Sequence, residues 1–167
     1  DFFILPSIEK NFQKESLKEL KISPKKFLSS EEFRHVKTKE LIVTDHPYTI
    51  TNNFHKDSQN IPLWIFKWLK EKFLKDLKYD EKNYPKRFFI DRNDSKSKTP
   101  GYRSLINADE VKKFLVEKNF SIVKLAKLSF IDQVKYFNNA ECIVGIHDAG
   151  FANMAFCKEN TKIIVFE

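Results

Sequence analysis

The stretch from Glu141 to Glu167, ECIVGIHDAGFANMAFCKENTKIIVFE, decides the reading of this chain. An apolar run, Cys142-Ile-Val-Gly145, ends at a glycine and gives way to the polar turn His147-Asp148-Ala149-Gly150. A small-residue segment over 150–157 reads as a helix and leads to a second apolar run, Lys162-Ile-Ile-Val-Phe166, which stops at Glu167. Strand, tight turn, helix and strand make one βαβ unit. Its turn falls at the carboxyl end of a strand and the amino end of a helix, where unpaired N–H groups favour anions in open α/β sheets. The same turn also reads as an ordinary βα connection that holds no ligand.

Outward from this unit the pattern repeats. Arg87-Phe-Phe-Ile-Asp91 reads as a strand, followed by a polar loop from Arg92 to Arg103 with a Pro100-Gly101 turn. Asn107, with Glu110 three residues on, has the form of a capped helix start, and Val111, Phe114, Leu115 and Phe120 form its apolar face. Ser121–Leu125 is the next strand, and Ser129 with Asp132 opens another capped helix with Val134 and Phe137 facing inward. The series β-α-β-α-β-α-β predicts a Rossmann-like parallel sheet with crossover helices, an α/β fold. The N-terminal half is less regular: strand 2–5, a helix near 11–20, a short strand near 26–28, strand 39–44, a polar loop over 45–60, and an apolar helix from Pro62 through Trp64, Trp68 and Phe73. The lysine-rich stretch 78–86 predicts a boundary, with an N-terminal α/β part at 1–78 and a C-terminal Rossmann-like lobe at 79–167.

The 167 residues, 41% hydrophobic with 17 Phe, suit a globular chain with a real core rather than a disordered one. No apolar run is long enough for a membrane helix, and no targeting segment opens the chain. Starting at Asp1 in what reads as a strand and ending on another, it is expected to be part of a longer protein. Cys142 and Cys157 read as free thiols, with no disulfide framework and no zinc spacing.

The net charge is +7, and of the 30 basic residues only four are arginine. Arg87, Arg92 and Arg103 crowd into one window, and arginine's planar fork matches phosphate in a way lysine does not. The three glycines fit no G-x-G-x-x-G and no P-loop, and no G-x-S-x-G elbow appears. No Asp-x-Asp pair ends a strand, so no metal site is expected; Asp91 and Asp94 read as loop-solvating or capping residues. What remains is an anion site built without metal from Arg92, Arg103, His147 and the N–H groups after Gly150, on loops that open at one sheet edge. Glu167 ends the last strand, where an acidic residue reaches a ribose in nucleotide folds.

These residues carry a resemblance. Phe88-Phe-Ile-Asp-Arg92, Tyr102-Arg103-Ser-Leu-Ile-Asn107, Asp109-Glu-Val111, Phe120-Ser-Ile-Val123, Leu128-Ser-Phe130 with Gln133-Val134 and Phe137, Ala140, and Val144-Gly-Ile-His-Asp-Ala-Gly150 with Asn153 occur in the order of the family-61 glycosyltransferases. The resemblance implies a nucleotide-sugar-dependent, inverting, metal-independent transferase of GT-B type, whose C-terminal lobe binds the donor. It implies Arg92 and Arg103 at the donor phosphates, and Asn107, His147, Asp148, Gly150, Asn153 and Glu167 around them. Three positions depart from the family: Asp91 replaces a serine, Ala108 the glutamate of an Asn-Glu pair, and Asp148 a glycine.

The expected partners are a nucleotide-sugar, a UDP-sugar first, and a glycan or protein acceptor, with no cofactor and no nucleic acid. Asp45 and His46, after strand 39–44, are the candidate catalytic bases. The expected location is cytoplasmic or membrane-associated in a bacterium and the secretory lumen in a eukaryote. Two rival readings remain: a nucleotide-sugar fold that binds without catalysing, motivated by Ala108 and Asp148, and a basic nucleic-acid-binding module, motivated by the lysines and aromatics of 64–75.

Overall fold

The computed structural model describes residues 1–44, 51, 53, 56–57, 60–92 and 105–166. The chain divides into two compact units, Asp1–Lys72 and Phe73–Glu167.

In the first unit β1 (Phe3–Leu5) and β2 (Phe27–Ser29) pair in parallel, Phe3 opposite Phe27, with α1 (Asn11–Glu19) between them in sequence. Helix α2 (Leu63–Leu74) begins directly after Pro62, whose fixed φ and missing N–H suit a helix start. The strand expected at 39–44 does not form. Leu41, Ile42 and Val43 are 66–83% exposed, and among the described residues no strand pairs with this run. No apolar side chain among the described residues of this unit is buried, and Trp64 and Trp68 of α2 are exposed. Among the described residues, no helix is long and apolar enough to cross a membrane.

The second unit contains a four-stranded sheet of β3 (Arg87–Ile90), β4 (Ser121–Val123), β5 (Cys142–Ile146) and β6 (Lys162–Phe166), in the order β4-β3-β5-β6. Every neighbouring pair is parallel, as the alternating sequence pattern predicts. The connections are α3 (Ala108–Glu117), α4 (Phe130–Asn139) and a 3-10 helix over Ala149–Phe156. This last segment was expected to be α-helical. Asn153 turns its side-chain amide back onto the Gly150 carbonyl at 3.2 Å, a local bond that competes with the α-helical ladder.

Both faces of the sheet are covered, which is why its central strands read as unbroken apolar runs. On one face Phe89 and Val144 pack with Leu115 of α3, flanked by Val111, Ile122 and Phe166. On the other, the fully buried Phe88 meets Phe137 of α4 edge-on at 5.4 Å, beside the fully buried Val134. Burying each such ring contributes roughly 1.5–3 kcal/mol. Phe73 continues this second layer, edge-on to Phe130 and Phe156. Phe114, expected on the buried face of α3, is 56% exposed, with Lys118 lying over its ring. Val111 and Leu115, four apart on one face, take the core position instead.

Gly145 sits at a close approach. A Cβ there would lie 3.1 Å from the Phe151 ring and 3.2 Å from Ile90 Cβ.

Candidate functional site

The strand order fixes where a ligand can enter. The connection from β3 runs through α3 to β4 on one side, whereas β5 leads to β6 on the other. Between the carboxyl ends of β3 and β5 the two following loops therefore part company, and ligands of open α/β sheets enter at such a switch point. Arg92 follows β3 and Asp148 follows β5.

These two side chains meet. Arg92 Nη1 lies 2.9 Å from Asp148 Oδ2, with the side chains only 17% and 15% exposed. The other carboxylate oxygen, Oδ1, accepts the Gly150 N–H at 2.6 Å and so caps the 3-10 helix. A Cβ on Gly150 would stand 2.8 Å from both Asp148 Oδ1 and Leu125 Cδ1, so these side-chain tips would have to shift. Arg92 Nε is buried and has no hydrogen-bond partner among the described residues.

Next to this pair sits a second one. Asp91, 6% exposed at its side chain, lies 3.2 Å from Lys112 Nζ of α3 and 3.9 Å from Lys124 Nζ beyond β4. Its backbone N–H donates to the Val123 carbonyl at 2.8 Å, which continues the β3–β4 pairing. The expectation that Asp91 solvates or caps its loop is therefore corrected: the residue is buried and ion-paired. No local sequence signal marks the two lysines, because they come from separate elements.

The remaining candidates fall as follows. The backbone N–H of the exposed His147 donates to the Phe166 carbonyl at 3.0 Å and ties β5 to β6. Asn107 stands at the N-cap position of α3 but makes no side-chain cap bond; its amide donates instead to Glu110 Oε2 at 3.3 Å. The Asn153 amide donates to Gln133 Oε1 at 3.0 Å as well as to Gly150, and Gln133 in turn donates to the Leu125 and Leu128 carbonyls. Sequence reasoning missed Gln133 as the link that fastens this segment to the β4–α4 connection. Arg103, Glu167, Asp45 and His46 lie outside the described residues. Arg87, grouped in sequence with Arg92, begins β3 and sits at the opposite, amino edge of the sheet. There it lines a cavity of about 550 Å³ with Lys86, Phe120, Lys158 and Lys162. The carboxyl edge remains the better candidate site, because strand ends, helix start and switch point coincide there.

No group of three or more His, Cys, Asp or Glu side chains positioned to hold a metal occurs among the described residues. The two described carboxylates at the carboxyl edge, Asp91 and Asp148, each face a cation of the protein.

The family model for glycosyltransferase 61 matches residues 2–164, nearly the whole chain. No curated protein and no solved structure matches it. With the parallel α/β sheet and the residue series in family order, that match places the chain in the glycosyltransferase 61 family, enzymes that carry a sugar from a donor to an acceptor.

Proposed function

We propose that this chain supplies the donor-binding part of a GT-B-type glycosyltransferase. It would transfer a sugar from a nucleotide-sugar, a UDP-sugar first, to a hydroxyl of a glycan or protein acceptor, with inversion and without a metal. The observation that carries the reading is the placement of Arg92 and the Asp148–Gly150 turn on adjacent strand ends at the topological switch point.

The chemistry follows from charge. In an inverting transfer the acceptor oxygen attacks the anomeric carbon from the face opposite the leaving group, and the bond from that carbon to the phosphate oxygen breaks. Negative charge builds on the departing nucleoside diphosphate. In this reading Arg92 and the Gly150 N–H stabilise it once they leave the Asp148 carboxylate, and pre-set donors of this kind act most strongly in a partly dry site. Arg103 joins them in this reading. The acceptor proton passes to a base, for which Asp45 and His46 remain the candidates. Metal independence is supported by the pairing of Asp91 and Asp148 with cations, which engages the carboxylates that would otherwise be ligands.

A thermal-shift screen of UDP, GDP and CMP with their sugars, with and without EDTA, tests the reading. Stabilisation by one nucleoside diphosphate that survives EDTA supports it, and no stabilisation by any of them contradicts it. A second reading, binding without transfer, is favoured by the carboxylate that Asp148 sets on Arg92. Donor binding with neither transfer nor donor hydrolysis would establish that reading.

A further inference from the structure

One carboxylate in this molecule holds two groups that suit an oxyanion. Asp148 Oδ2 takes the Arg92 guanidinium and Oδ1 takes the Gly150 N–H. A guanidinium and a backbone N–H at a helix start are the two donor types that commonly cradle phosphate. The arrangement leaves Arg92 incompletely satisfied, since its Nε is buried without a partner among the described residues. A buried donor left unmet is unfavourable. A carboxylate that engages only Nη1 is thus a weaker partner than a phosphate whose three oxygens could engage Nη1 and Nε together.

We propose that the Asp148 carboxylate is an internal stand-in for ligand phosphate, clasping Arg92 and the Gly150 N–H in the empty protein and giving them up when a nucleoside diphosphate binds. The proposal rests on the donor-site reading above and adds its regulation: donor entry is an exchange of anions. The clasp lowers donor affinity and also keeps the empty turn ordered. Without it, Arg92 and the cap of the 3-10 helix would lack their shared anion. No bond is made or broken in the exchange. The Asp148 side chain turns out of the cleft as the phosphate takes its two donors.

Asp148→Asn separates charge from shape, because an asparagine oxygen still caps the Gly150 N–H. Titration calorimetry with UDP in EDTA compares the wild-type chain, Asp148→Asn, Arg92→Ala and the double variant, each checked for folding by circular dichroism. Asp148→Ser, another capping residue without charge, serves if the asparagine variant does not fold. The proposal expects Asp148→Asn to bind UDP roughly tenfold more tightly, as loss of one competing charged hydrogen bond implies. It expects that gain to vanish when Arg92 is alanine. Equal or weaker binding in Asp148→Asn, with wild-type binding intact, overturns the clasp and leaves the donor site standing. Absence of UDP binding in all four proteins overturns the clasp together with the donor site.

Discussion

Asp91, at the end of the most central stretch of the sheet, is held 3.2 Å from Lys112 of α3 while 94% of its side-chain surface is covered. The pair joins the strand that carries Arg92 to the helix that follows the Arg92 loop. Removing one member leaves a nearly buried charge without its counterion, which is far costlier than never having had the pair.

Asp91→Ala is therefore expected to lower unfolding free energy by about 1–3 kcal/mol, below the range for fully buried pairs because Lys112 and Lys124 retain some solvent. Urea denaturation measures it. A change within about 0.5 kcal/mol, the range of ordinary surface substitutions, would show that the pair does not support this edge.

Asn139 is the most thoroughly buried polar side chain described, 1% exposed at the end of α4. Its amide donates to the Tyr84 carbonyl at 2.7 Å and the Glu81 carbonyl at 3.2 Å, and its oxygen accepts from Lys86 Nζ at 3.1 Å. It thereby fixes the segment leading into β3. Asn139→Ala is expected to cost about 2–4 kcal/mol, since the Tyr84 carbonyl loses its donor, the Glu81 carbonyl keeps only the Tyr84 N–H, and a gap opens. A melting temperature unchanged from wild type would contradict this role.

Asp132 sets a pH dependence. The Ser129 hydroxyl foremost, then Lys135 and Tyr84, hold its carboxyl below the usual range against the opposing effect of partial burial. A carboxyl lowered in the folded state stabilises above its unfolded value of about 3.9, and that stabilisation is lost as pH falls through the folded value. With 40% of the side chain exposed the contribution is screened and small. Asp132→Asn should melt slightly below wild type at pH 7, and the gap should close as the pH drops below about 4. A gap that is constant or widens on acidification would contradict the assignment.

Much of the second unit was legible because its signals are local. The apolar strands at 87–90 and 142–146 and the Ser129 cap, whose hydroxyl accepts the Asp132 N–H at 3.1 Å, all write themselves into short windows. Strand 39–44 failed because strand formation depends on a partner, which a window does not show. The 3-10 form of Ala149–Phe156 failed because Asn153's bond to Gly150 overrides a favourable small-residue composition. Asp148 stands out in the sequence as a carboxylate where the family has glycine; in the structure it pairs with Arg92 and caps the 3-10 helix through the Gly150 N–H. Ion pairs between distant segments leave no trace in spacing, and the same holds for Asp91 with its two lysines.

The central claim is that Arg92 at the switch point binds the donor diphosphate without a metal. The measurement that tests it most directly is titration of UDP into the wild-type chain and into Arg92→Ala, each with and without EDTA. The account predicts wild-type binding that EDTA leaves unchanged, and a loss of about 1.5–3 kcal/mol in Arg92→Ala, the value of a charged hydrogen bond. Equal affinity in the two proteins, or wild-type binding abolished by EDTA, would contradict it.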